Sequence, residues 1–280
     1  MTLRVVVAVF SVGTLLAACR DESRNAPTPT TYVWPDSFAF KMEYVAETRT
    51  DSAVVVRYEE RKELRFAVRE DRYLVWHDSV IKESLLGGRR GEVEPYAIED
   101  TLPYYVTLDR RGRVSHSEPG CDPALPPCRQ ALPSALPLEL ARLIPRLPVW
   151  PAPRGSVWVD TLSYDDTQRP GGVRGMLITQ FRVASDTVAG GVPLWKVTWH
   201  AERRTFAPVP GPMGFAEGVP VGEDGYVYID KERELPVFAM WGGGVAAPAN
   251  LAAVGVRGTG FRGRAYLAGS IVERLLGPPE

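Results

Sequence analysis

Apolar and polar residues alternate along most of this chain, and that period of two constrains its fold more than any other feature. In 38–48, Phe38, Phe40, Met42, Tyr44 and Ala46 take the even positions while Lys41, Glu43 and Glu47 take odd ones. Successive side chains of a strand point to opposite faces, so such a segment is a strand with one buried and one wet face. Leu64, Phe66 and Val68 alternate with Glu63, Arg65 and Arg69 in the same way. So do Trp195, Val197 and Trp199 with Lys196, Thr198 and His200, which turns His200 towards solvent. The 26 Gly and 25 Pro are scattered without a period, as turns between short strands require. Strands joined through turns such as Asp71-Arg72 build an antiparallel meander. The expected fold is therefore mainly β, an antiparallel curved sheet or half-open barrel, with 36–280 as one domain.

Within it, 36–117 forms a first β half and 154–280 a second. Residues 87–101, 165–172 and 208–220 read as loops, as does the Gly- and Ala-rich stretch 242–260. Phe261 to Val272 reads as the last strand. Between the halves, 118–153 is Pro-rich and holds the one helical candidate. Leu136, Leu140, Leu143, Ile144 and Leu147 repeat at helical spacing over about 136–147. Pro137 suits a first turn, and Pro145 and Pro148 end the helix. Its Leu stripe would lie on the sheet or plug its open end. Both halves carry a Tyr-rich strand ending in Asp and basic residues, Tyr104-Tyr-Val-Thr-Leu-Asp109-Arg-Arg and Tyr226-Val-Tyr-Ile-Asp230-Lys-Glu-Arg. Two similar halves is one reading of this; shared strand-turn composition is the other.

The N-terminus has one positive charge, Arg4, then an apolar run from Val5 to Leu16, then Ala17-Ala18-Cys19. This is the layout of a signal peptide over 1–18, shorter than the ~20 residues a membrane span needs. Leu16-Ala17-Ala18-Cys19 resembles the lipobox of bacterial lipoproteins. That resemblance implies cleavage before Cys19 and lipidation of its thiol, with palmitate-type chains as the membrane anchor. Two or more acyl chains hold a protein stably in a bilayer. In that family Asp after the Cys tends to retain the protein at the inner membrane. Arg20 stands there instead, so the resemblance favours the outer membrane, facing the periplasm. Residues 19–35 then form a polar, Pro-spaced tether spanning on the order of 20 Å.

With Cys19 lipidated, Cys121 and Cys128 remain as a pair, and an exported chain with an even remainder points to a disulfide. Free thiols or a metal or redox site are the alternatives. The spacing is not Cys-x-x-Cys, and the three His of the chain offer little for a metal.

No nucleophile elbow, Walker loop, zincin motif or dinucleotide fingerprint occurs. His77 is followed by Asp78, with Glu83 beyond. Glu59-Glu60 and Asp165-Asp166 are paired carboxylates, but neighbours on a strand face opposite ways. No catalytic residue, cofactor or metal ligand is assigned, and the chain is not expected to be an enzyme. Lys plus Arg number 33 against 34 Asp plus Glu, which leaves no basic footprint for nucleic acid.

The outline of lipobox, long alternating strands and a mid-chain apolar helix resembles the lipoprotein-carrier group of the bacterial envelope. There a half-closed barrel holds acyl chains under a helical lid. The resemblance implies a tethered scaffold for an apolar ligand, a lipid or acyl chain. A structural or protein-interaction module of the envelope is the alternative. The first requires a continuous cavity; the second requires a filled core and an exposed apolar patch.

Overall fold

The computed structural model describes residues 30–50, 54–86, 89–92, 103–120, 135–149, 151–165, 174–208, 215–218, 220–246, 252 and 256–276. The signal segment, Cys19, most of the tether, Cys121 and Cys128 lie outside these residues, and with them the lipidation and disulfide expectations.

The strands are β1 (Ser37–Thr50), β2 (Val54–Arg69), β3 (Arg72–Leu86), β4 (Arg89–Glu92), β5 (Tyr104–Leu108) and β6 (Val114–Pro119). After helix α1 (Ala135–Leu143) come β7 (Val157–Asp165), β8 (Arg174–Ala189), β9 (Val192–Pro208), β10 (Phe215–Glu217), β11 (Val221–Asp230), β12 (Leu235–Ala246) and β13 (Val256–Leu267). Helix α2 (Ile271–Leu276) follows. The strands form one 13-stranded sheet in the order β6-β5-β3-β2-β1-β13-β12-β11-β9-β8-β7, with β4 on β3 and β10 on β9. Every pairing is antiparallel. The mainly β, antiparallel fold expected from the alternation is the fold observed.

The edge strands β6 and β7 do not pair with each other, so the sheet is open. It is nevertheless strongly curled. Laid flat, eleven strands at ~4.8 Å spacing would set its edges roughly 48 Å apart. Yet one short stretch after α1 reaches both edges. The Leu147 amide donates to the carbonyl of Arg111, in the β5–β6 turn, at 2.8 Å. The Trp158 indole, on β7, donates to the carbonyl of Arg146 at 2.7 Å. Arg146 also pairs with Asp160 of β7. The segment therefore bridges the gap of a half-open barrel.

The two meanders correspond in sequence order. Each has three strands in succession, a short strand folded onto the third (β4 on β3, β10 on β9), and then the Tyr-rich strand (β5, β11). The Tyr-rich strands end in the same kind of turn. Asp109 Oδ1 accepts the amides of Arg111 and Arg113, both at 2.8 Å. Asp230 Oδ1 accepts those of Glu232 at 2.8 Å and Arg233 at 3.0 Å. Pairing of β1 with β13 joins the meanders at the middle of the sheet.

The end of the barrel bearing turns 70–71, 109–113, 190–191 and 231–234 is packed solid. Phe38 stacks on Phe66 at 4.2 Å, with Phe40 and Tyr73 edge-on to Phe66. Leu64, Val106, Leu194 and Ile229 are wholly buried. Gly112 has a φ of +86°, and a Cβ there would overlap Tyr32 and Ile144, so the turn can close on the bridging segment only with glycine.

Four expectations need correction. The helix ends at Leu143, not near 147, because Pro145 has no N–H to continue it. Leu136, Leu140, Leu143, Ile144 and Leu147 are all buried regardless. Parts of the expected loops are strand: β4 lies in 87–101, β10 in 208–220, and β12 and β13 extend into 242–260. Asp165 is the last residue of β7, opposite Arg174, not a loop residue. Finally, β13 stops at Leu267 and 271–276 is helical. Gly269 breaks the strand at φ +74°, and Ser270 Oγ caps α2 by accepting the Glu273 amide at 3.1 Å.

Candidate functional site: the hollow beneath the helix

Above the packed end, one cross-strand row runs through Trp158, Phe181, Trp199, Gly225, Trp241, Gly263, Tyr44 and Glu60. The two glycines are what let the tryptophans lie down. A Cβ on Gly225 would sit 2.5 Å from the Trp199 ring, and one on Gly263 2.2 Å from the Trp241 ring. Each indole therefore rests over the bare backbone of the adjoining strand.

Over the Trp241 ring lies a cavity of about 280 Å³. Met42, Leu177 and Trp241 line it from the sheet and Leu138 from α1. Its walls are charged: Glu60, Lys62, Arg203 and Glu223 from the sheet, Glu139 and Arg142 from the helix. A second hollow of about 470 Å³ lies between Val33, Phe38, Arg233 and Leu267, but Val33 is 60% exposed, so this is a surface depression where the N-terminal segment enters.

The charges tie the helix to both halves. Lys62 Nζ lies 2.6 Å from Glu139 and 3.2 Å from Glu60. His77 Nε2 lies 3.3 Å from the other Glu139 oxygen. Arg142 grips Glu223 through two nitrogens, both at 2.7 Å. Burial alone would raise the Glu139 pKa, but the Lys62 ammonium and the His77 hydrogen bond outweigh it and hold the carboxyl well below the usual range. Burial would lower Lys62 and Arg142, and their carboxylate partners raise both instead. Tyr44 is pushed up by burial, against the nearby Arg142 charge. Glu223 is wholly buried, so its pair with Arg142 is a strong constraint on where α1 sits.

The residues singled out from sequence scatter. His77 turns inward to Glu139, whereas Asp78 turns outward to Arg65 at 3.0 Å. His200 lies on the exposed face, 2.8 Å from Asp224. Glu59 and Glu60 take opposite faces, and only Glu60 lines the hollow. Asp166 lies outside the described residues. Sequence reading missed Lys62, Glu139, Arg142, Arg203 and Glu223. Their signal is a charge placed on the apolar phase of a strand or helix. Among the described residues no three His, Cys, Asp or Glu side chains converge as a metal site requires, and no helix is long and apolar enough to cross a membrane.

No protein-family model matches the chain. No curated protein matches it either. Among solved structures, it is similar to a chain described under lipid–protein interactions in lipovitellin, with TM-score 0.37 and 8% identity over 84% of this chain and 25% of that one. This chain thus spans about a quarter of that protein's length, and a likeness so slight carries no argument about function.

Proposed function

We propose that the chain is a lipoprotein anchored through Cys19, facing the periplasm from the outer membrane, whose non-catalytic β scaffold binds a lipid or acyl chain beneath α1. The observation that carries this is the hollow itself. Among the described residues, the concave face is packed at one end and leaves a hollow at the other, over the Trp241 indole and under a helix. A protein that needed only stability would fill that space, since interiors pack to crystal density. The described part of the tether joins the packed end, where the Tyr32 hydroxyl donates to the Pro145 carbonyl at 2.7 Å. An anchor there leaves the hollow at the far end free to receive a ligand.

Extraction of the intact protein, purified from its membrane, with analysis of the extract by mass spectrometry tests the binding. A stoichiometric lipid or fatty acid is expected, and a protein that neither carries nor takes up any apolar molecule would refute the reading. The mass of the N-terminal peptide tests the anchor: a diacylglyceryl Cys19 is expected.

The interaction-module reading has one observation in its favour. On the convex face the half-buried Tyr226 and Tyr228 pack on the buried rings of Phe238 and Tyr266, with centroids 5.2–5.9 Å apart. Lys196 sits 4.4 Å over Tyr226, and Met240 beside it is 41% exposed. Cross-linking that captures an envelope protein through this face while the hollow stays empty would favour that reading.

A further inference from the structure

The hollow holds polar groups that its own side chains leave unsatisfied. The indole N–H of Trp241, a residue only 3% exposed, has no acceptor among the described residues. Nor has the Nε–H of Arg203, which lines the same hollow. Both are donors only. The other two cations of the hollow are engaged, Lys62 with Glu60 and Glu139, and Arg142 with Glu223. Arg203 takes part in neither pair. Lys62 is shared by two of the three carboxylates and Arg142 serves the third, so the formal charges of the lining balance only with Arg203, which pairs with none of them.

Buried donors without acceptors are rare in folded proteins and costly. A purely hydrocarbon occupant would leave these unsatisfied. A planar guanidinium is the group that best matches a carboxylate or phosphate, through two parallel N–H donors. The apolar side chains of the same cavity, Met42, Leu138 and Leu177, cannot serve such a head, but they can cover a hydrocarbon chain. At about 280 Å³ the space suits one chain.

We propose that the hollow binds a single-chain amphiphile with an anionic head. The head, carboxylate or phosphate, accepts from Arg203 and the Trp241 indole, and the chain lies against Met42, Leu138 and Leu177. This rests on reading the hollow as a site for an apolar ligand and adds the class of its head group.

The test uses the intact chain with Cys19→Ser, which removes the acylation site and no described residue. Decanoate, decyl phosphate and decanol are titrated against its tryptophan fluorescence. At least one of the two anions should bind tenfold or more tighter than decanol, and the tighter of them identifies the head. Arg203→Gln should bring the anions to the level of decanol without changing decanol binding, and Arg203→Lys should keep part of the preference. Thermal unfolding of Arg203→Gln should be unchanged, because the half-buried Arg203 holds no carboxylate partner and its buried Nε–H no acceptor. Equal affinity of all three ligands, or a preference that survives Arg203→Gln, would overturn the anionic head and leave the apolar site standing. Failure of all three to bind would take the apolar site down as well. Competition by acetate or inorganic phosphate at the same concentration as decanoate would show a free-anion site and defeat the amphiphile.

Discussion

On β2, Leu64 and Phe66 are buried against other apolar side chains, while Glu60 and Lys62, on the same face of the same strand, border a hollow. The two ends of the barrel repeat this contrast strand by strand. On β11, Val227 and Ile229 are wholly buried at the packed end, and Glu223 is wholly buried as one half of an ion pair at the other. Burying hydrocarbon is favourable by itself, at roughly 25 cal/mol per Å². Burying a carboxylate is favourable only with a partner, and replacing such a pair by hydrocarbon is often neutral or better for stability. The packed end therefore holds the sheet together, and the charged end keeps a helix in place over a space that the described residues leave unfilled.

The division of labour is broken most directly at the packed end. Phe66→Ala should destabilise the protein by about 3–5 kcal/mol, read by denaturant unfolding, and leave the decanoate affinity of the folded protein unchanged. A loss of affinity under conditions where the variant is fully folded would mean that the two ends are not separate. Next in size is Glu223→Ala, which strands the Arg142 guanidinium under α1 and should cost about 3 kcal/mol. Adding Arg142→Met should recover most of that stability, because the unpaired charge is then gone. Recovery of stability without recovery of ligand selectivity would sharpen the contrast. No recovery at all would show that the pair stabilises the fold outright.

The sequence made the packed end far more legible than the charged end. Its side chains follow a strict period of two, and the helical spacing of Leu136 to Leu147 was already plain. A chain that buries hydrocarbon must write that pattern, because each face of a strand returns every second residue. Charges inside leave a different trace. Glu60 and Lys62 continue the inward phase of Leu64 and Phe66, and Glu223 continues that of Val227 and Ile229. Read for composition, these residues pass as the wet ends of strands. Read for phase, they are charges facing the core. Nothing local says that Lys62 meets Glu139 from a helix far along the chain, since that contact depends on the sheet curling until α1 touches both halves. Helix α2 was missed for a simpler reason. Its Ser270-Ile-Val-Glu273 start has the spacing of a capping box, but it follows directly on a strand.

Smaller effects probe the floor of the hollow. Gly263→Ala should push the Trp241 ring off its strand at a cost of about 1–3 kcal/mol, because the added methyl would lie within 2.2 Å of the ring. The measurement is tryptophan emission together with decanol affinity, and both should change. An unchanged spectrum would mean that the ring has room to spare and that the glycine is not what seats it.

The smallest effect expected is that of the Glu139 latch, and its sign follows from the direction of its pKa. The Lys62 ammonium and the His77 hydrogen bond overcome burial and depress the carboxyl in the folded protein below its ordinary value of 4.5. As pH falls, the unfolded chain takes up this proton first. The stabilisation is therefore fully present above about pH 4.5 and is lost progressively below it. Glu139→Gln removes the charge at every pH. The variant should be less stable than the parent at pH 7 by on the order of 1 kcal/mol and should converge with it in acid. Because Glu139 belongs to α1 and not to the packed end, acid should also loosen the helix before the sheet unfolds. Hydrogen exchange at pH 3 should accordingly quicken in 135–143 while the amides of Leu64 and Phe66 stay protected. Equal exchange in both regions would show that the two ends of the barrel open together.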